Sequence, residues 1–251
     1  MPQGAVEFPQ KPEALLDAAP ALCLDDAAAE ELPGRLISIL EAQPARSNLA
    51  RLIGARLTVL GHGEAALPGL HRAVSENPQA VDLIGQVIDT AWLMTRQAPH
   101  LDHLVELTRA SGKKRPAAAR RLHRIGDSEA ALDLLRADGT ADSFERQGHL
   151  AECEILADLR RPEEEEAAVG RLVAGGLDTP MVQRTALAFA FRWSGPQELL
   201  LEYEKLPKPV AFGVRSMVFQ TLLWNGFPNL ARAVFGDAFD INSVEDGVSA
   251  N

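Results

Sequence analysis

Pro44 and Pro78 stand 34 residues apart, and each closes a segment in which small and large apolar residues recur. A period of this length constrains the fold more than any other feature. One such segment makes a single pair of helices, which cannot bury its apolar face without neighbours. The clearest unit runs from residue 47 to residue 80. Ala50, Ile53, Gly54 and Leu57 share one face of a first helix, Leu60-Gly61-His62-Gly63 makes a turn, and Ala66, Leu70 and Ala73 share one face of a second helix. Gly54 allows the two helices to approach closely. Ala66 and Ala73 keep the second helix thin where it meets the next unit, and Leu57 and Leu70 fill the space between the helices. Pro78, lacking an N–H, ends the unit.

The same order recurs. Leu36 and Leu40 lie on the helix that Pro44 ends, and Gly126-Asp-Ser-Glu-Ala-Ala131-Leu-Asp-Leu-Leu135 repeats the turn and second helix of 61–70. Further turns fall near Gln97–His100, Arg160–Glu163, Ser194–Gln197 and Asn225–Pro228. Helical pairs are expected over 13–44, 47–80, 81–111, 113–143, 146–176, 180–207 and 212–239, the first degenerate because Pro20 interrupts its leading helix. Residues 1–12, with Pro2, Pro9 and Pro12, read as an extended N-terminal arm, and 240–251 as a flexible C-terminal tail.

Ile53-Gly54-x2-Leu57, Ala66-x3-Leu70 and Pro78 follow the spacing of the tetratricopeptide pattern, with Ala50, Leu57 and Leu70 at its aromatic positions. On these residues the chain resembles tetratricopeptide-repeat proteins. Outside 47–80, 113–135 and 180–206 the pattern also admits HEAT-like or Sel1-like units. The resemblance implies an all-α fold: a right-handed superhelix, or solenoid, of about seven antiparallel helical hairpins over 13–239. It also implies a concave groove, lined by the first helices, that holds a segment of a partner protein.

The formal net charge of −10 and pI near 5.1 oppose binding to nucleic acid or anionic lipid. No apolar run approaches the roughly 18–20 residues of a membrane span, and the first eight residues carry no basic or apolar leader, so a cytoplasmic protein is expected. The preference for Arg over Lys points to a GC-rich bacterial gene. Cys23 and Cys153 are expected to be small apolar residues rather than a disulfide.

No catalytic pattern survives inspection. Ser111-Gly-Lys-Lys114 echoes a phosphate loop, but Leu107 replaces its first glycine and Lys114 its Ser or Thr. Gly61-His-Gly63 lacks the third glycine of a dinucleotide loop. His100 and His103 share a helical face without an evident third metal ligand. No enzyme activity, cofactor or metal is therefore expected. The acidic run 163–166 after Pro162 reads as a solvated helix start placed at the positive end of the helix dipole.

Two anomalies remain. Residues 109–124 contain seven Arg or Lys and no acid, and the next 50 residues are strongly acidic. Aligned on the 47–80 unit, Lys113, Arg120, His123 and Arg124 face the groove, and Arg115 and Arg121 point elsewhere. With Asn48 and Arg51 on earlier first helices they form a candidate site for an acidic segment or a C-terminal carboxylate. The competing reading pairs this basic face with acids at 127–166. The second anomaly is the aromatic last quarter. Phe191 and Phe219 fall in the core by helical phase, whereas Trp193, Trp224 and Phe227 lie at or near turns and mark a possible second interface or self-association surface. The leading expectation is a non-catalytic adaptor or scaffold for a protein partner. The alternatives are an accessory subunit or domain of an enzyme complex, such as a transferase, and helical-repeat RNA binding, which the net charge disfavours.

Overall fold

A computed structural model describes residues 8–109, 114–137 and 145–235. Among these residues every extended element is an α-helix, fourteen in all, and there is no strand. The chain divides into two units, 1–140 and 141–251. The first holds α1 (Pro12–Leu22), α2 (Asp26–Ala42), α3 (Ser47–Val59), α4 (Gly63–Glu76), α5 (Val81–Thr95), α6 (Leu101–Arg109), α7 (Arg115–Arg124) and α8 (Ser128–Arg136). The second holds α9 (Glu145–Asp158), α10 (Pro162–Ala174), α11 (Pro180–Ser194), α12 (Pro196–Lys205), α13 (Phe212–Trp224) and α14 (Pro228–Phe235). No helix among the described residues is long and apolar enough to cross a membrane.

Packing is local in both units. In the first, α1, α3, α5 and α7 each pack on the helix that follows, and the odd-numbered helices also pack in succession, α1 on α3, α3 on α5 and α5 on α7. In the second, α9 packs on α10 and α11, and α11 packs on α10, α12 and α13.

Short polar and small residues set the helix ends. Asp25 and Asp127 cap α2 and α8 by accepting from the N–H of Ala28 (3.0 Å) and Ala130 (3.2 Å). The end of α3 closes by a six-residue bond from the His62 N–H to the Leu57 carbonyl, with Gly61 at φ +81°. The end of α7 closes in the same way, from Asp127 to Leu122, with Gly126 at φ +100°. The turn after α9 has this closure too, Arg161 to Leu156, but with Arg160 at φ +55° where the others place glycine.

The core of the first unit shows why the 47–80 segment needs its small residues. Ile53, Leu57, Ala66, Leu70 and Ala73 are fully buried. A Cβ on Gly54 would lie 2.8 Å from a Leu70 methyl, and one on Gly69 2.8 Å from Leu40 Cγ. The end of α4 falls to Asn77, whose Nδ2 donates to the carbonyls of Ala73 (2.9 Å) and Pro44 (3.1 Å), so the residue before Pro78 ties this unit to the end of the previous one. In the second unit Leu187, Leu199, Val214, Val218, Phe219 and Leu222 form the core where α11 to α13 meet, with Phe191 half-buried against it.

One expectation changes. Pro20 does not interrupt α1, which continues to Leu22 because the proline lies in its last turn and removes only one ladder donor. The expected arm is packed at Phe8, which is buried with the Arg35 guanidinium 4.1 Å over its ring. Residues 1–7 and the expected tail at 240–251 lie outside the described residues.

Gly54→Ala is expected to lower the unfolding free energy by about 1–3 kcal/mol, because the fully buried Leu70 has no room to yield. Gly34→Ala, at an exposed α2 position with open space around it, is expected to raise it by about 0.5–1 kcal/mol. Urea denaturation of the two variants measures both, and an unchanged Gly54→Ala would show that Leu70 is free to move.

Candidate functional site

The odd-numbered helices of the first unit lie side by side in one direction, held by polar contacts about one repeat apart. Arg46, before α3, pairs with Glu13 at the start of α1. Near the other ends of α3 and α5, Thr58 Oγ1 and Thr90 Oγ1 share a hydrogen bond of 2.9 Å. Lys114 Nζ donates to Asp82 of α5 at 2.7 Å. Asp89, two turns further along α5, receives both Arg121 (3.0 Å) and Arg124 (2.9 Å) of α7. The Arg121 guanidinium crosses α5 at Gly85, where a Cβ would stand 2.6 Å from its Cζ.

At the N-terminal ends of these helices is an open cavity of 270 Å³ lined by Ser47, Asn48 and Arg51 of α3, by residues 79–83, and by Lys114. A second cavity of 320 Å³ shares Ser47 and Asn48 and extends to Glu13, Arg46 and Leu52. Arg51 donates to the Asn48 side-chain oxygen at 3.0 Å. That acceptor is a neutral amide, and a guanidinium so placed keeps donors in the geometry that a carboxylate accepts.

Of the basic segment's described ion pairs, Lys114 reaches Asp82, and Arg121 and Arg124 reach Asp89, both upstream on α5. Arg121 is fixed on α5 by Asp89. Arg124 shares Asp89 with it, so two guanidiniums meet one carboxylate and a net positive charge remains. Arg115 donates to the carbonyls of Arg109 and Ala137, tying the ends of α6 and α8. His123 Nδ1 is bound to Ser128 Oγ at 2.9 Å. Arg120 lies half-exposed on α7, and neither it nor His123 lines the two cavities. Lys113 lies outside the described residues.

In the second unit the three named aromatics have different surroundings. Trp224 is 77% exposed at the end of α13. Phe227 is half-buried against the α11–α13 core. Trp193 is half-buried, and its indole N–H donates to Glu165 Oε2 at 2.8 Å, while Arg192 pairs with the other oxygen. Glu165 is only 2% exposed, so the acidic run is not wholly solvated. The signal was present: Glu165 falls in phase with Ala168, Val169 and Leu172, the apolar stripe of α10. A second buried acid, Glu152 of α9, accepts from Arg171 at 2.8 Å. Beside it Cys153 is buried and free, its thiol pushed up to about 12 by burial and then by Glu152 and Glu165.

His100 and His103 turn to different partners. Among the described residues no three potential ligands converge. His100 Nε2 meets His71 Nδ1 of α4 at 3.0 Å, and His103 Nε2 meets the Pro78 carbonyl at 2.7 Å. Burial first, then the proximity of His71 and His103, holds His100 below the ordinary imidazole value of 6.5.

No protein-family model matches this chain, and no curated protein is similar to it.

Two measurements check these environments. A base whose folded pKa is depressed favours the neutral form in the fold. The stability it contributes is therefore complete above pH 6.5 and declines as pH falls below that value. The urea midpoint is expected to drop between about pH 7 and 5, and His100→Asn, which tolerates the local φ of +63°, to flatten the drop. In thiol labelling at about pH 8, Cys23 is expected to react in the native protein and Cys153 only on unfolding. Fast labelling of both thiols would contradict the placement of Cys153.

Proposed function

We propose that this chain is a cytoplasmic, tetratricopeptide-like α-solenoid of about seven helical hairpins, and that it acts as a non-catalytic scaffold for a segment of a partner protein. The observation that carries the reading is the cavity lined by Asn48 and Arg51 of α3, by Asp82 at the start of α5 and by Lys114 just before α7, so that it runs across three successive odd-numbered helices. In a solenoid these helices form the concave face. A surface built from successive repeats can follow an extended chain for several residues, with a separate contact from each repeat.

Charge favours an acidic segment. Arg51 is held by a neutral amide, and the Arg121–Asp89–Arg124 group keeps one positive charge on the same set of helices. A carboxylate entering between Arg51 and Asn48 would gain charge-assisted, bidentate hydrogen bonds without displacing an existing ion pair. Leu52, exposed at the neighbouring cavity, supplies an apolar contact beside that position.

The test is cross-linked affinity purification from the native cell with wild type, with Arg51→Glu/Lys114→Glu, and with Trp224→Ala. The expected result is a partner recovered by wild type and Trp224→Ala and reduced about tenfold or more by the double reversal, with helicity unchanged by circular dichroism. A partner kept by the double reversal and lost with Trp224→Ala would move the interface to the second unit and overturn the reading.

A further inference from the structure

The ends of the odd-numbered helices opposite the two cavities carry a different pattern. Leu24 follows α1, Val59 ends α3 and Leu93 lies in the last turn of α5, and these side chains are 88%, 80% and 55% exposed. They are 35 and 34 residues apart, one at the turn end of each successive odd-numbered helix. Met94, next to Leu93, is also exposed, and its side chain reaches the start of α4 beside Gly63. Among the described residues of this unit, Leu52 is the one exposed large apolar residue away from these turns. Single exposed aliphatics need no explanation, but recurrence at the repeat period places them in one row. The odd-numbered helices are parallel neighbours: Arg46–Glu13 joins their N-terminal ends and Thr58–Thr90 ties α3 to α5 near the turns. The row therefore has a spacing of about 10 Å, that of packed helices.

Charge along the row is uneven. Asp25 and Asp26, both exposed, follow Leu24. The Val59 turn is balanced by Arg56 before it and Glu64 after it. The Leu93 turn carries Arg96, exposed and in the left-handed region at φ +58°, where its guanidinium lies 5.7 Å from the Trp92 ring. Asp102, the next acid, belongs to the first turn of α6. One end of the row is acidic, the middle neutral and the other end basic.

We propose that this turn edge is a contact between two copies of the chain, packed antiparallel about a two-fold axis at Val59. That arrangement sets Leu24 of each copy beside Leu93 of the other and Asp26 beside Arg96, so a single patch is complementary to itself in both shape and charge. Parallel packing would set like charges together at both ends. A row of three turns belongs to the small, concentration-dependent class of interface. The two cavities lie at the other ends of the helices and stay open, so the contact is independent of partner binding there.

The experiment is sedimentation equilibrium of the full chain from about 1 µM to about 1 mM. Wild type is expected to pass from monomer to dimer. Leu24→Asp/Leu93→Asp is expected to raise the dimer Kd more than about tenfold. Asp26→Arg and Arg96→Asp should each weaken the dimer severalfold, and the two together restore it, because in an antiparallel pair the reversed charges meet again. Circular dichroism confirms that each variant is folded. A wild type that stays monomeric throughout overturns the proposal. So does a dimer indifferent to Leu24→Asp/Leu93→Asp, which would place self-association elsewhere, with Trp224→Ala as its check. A double charge reversal that fails to restore the dimer overturns it as well.

Discussion

Gly54 meets Leu70 with no room for a methyl group between them, and Gly69 meets Leu40 in the same way. The remainder of the first unit depends on this close approach. Helices that near each other exclude water from Ile53, Leu57 and Ala66 and bring many weak contacts into range together. A single pair made this way still has an uncovered side. Ala73 and Val74 of α4 are buried, and α4 packs on α2 and α5 as well as on α3, so neighbouring units cover that side. Small residues at the contacts therefore determine both the shape of one pair and its need for the next.

Apolar stripes alone leave neighbouring helices free to slide, since hydrophobic burial has no direction. The polar ties remove that freedom. Asn77 to Pro44, Thr58 to Thr90, and Asp89 to Arg121 and Arg124 each join groups of defined geometry about a repeat apart. The last of these also needs Gly85, because the guanidinium lies against backbone that a side chain would cover. In the second unit Glu165 has the same role at greater depth, with both carboxylate oxygens satisfied by consecutive residues of α11. A buried carboxylate is tolerable only when so paired.

The helical character and the contents of the 47–80 segment were legible because they depend on residues close in sequence: the Gly54–Leu57 face, the glycine turn at 61, the Ala66–Leu70 spacing. Asn48 and Arg51 could be placed on one helix for the same reason. What could not be read were contacts between helices. The basic run at 109–124 has acids on both sides in sequence, and the packing of α7 on α5 is what brings Lys114 to Asp82 and Arg121 and Arg124 to Asp89. His100 shares a helical face with His103, yet its ring turns to His71, 29 residues back on another helix. Glu165 lay in the apolar phase of α10, but an acid among acids at a helix start reads as solvated until the facing Arg192 and Trp193 are known.

None of the polar ties named above reaches further along the chain than the 35 residues between Asp89 and Arg124. A polypeptide leaving the ribosome from its N-terminus would find the acceptor for each new helix already made: Glu13 before Arg46, Pro44 before Asn77, Asp89 before Arg121. Closing loops of that length costs little entropy, and chains dominated by such contacts fold quickly. The first unit can thus assemble in the order of its synthesis, each stretch of about 35 residues settling on one already formed rather than waiting for the C-terminus.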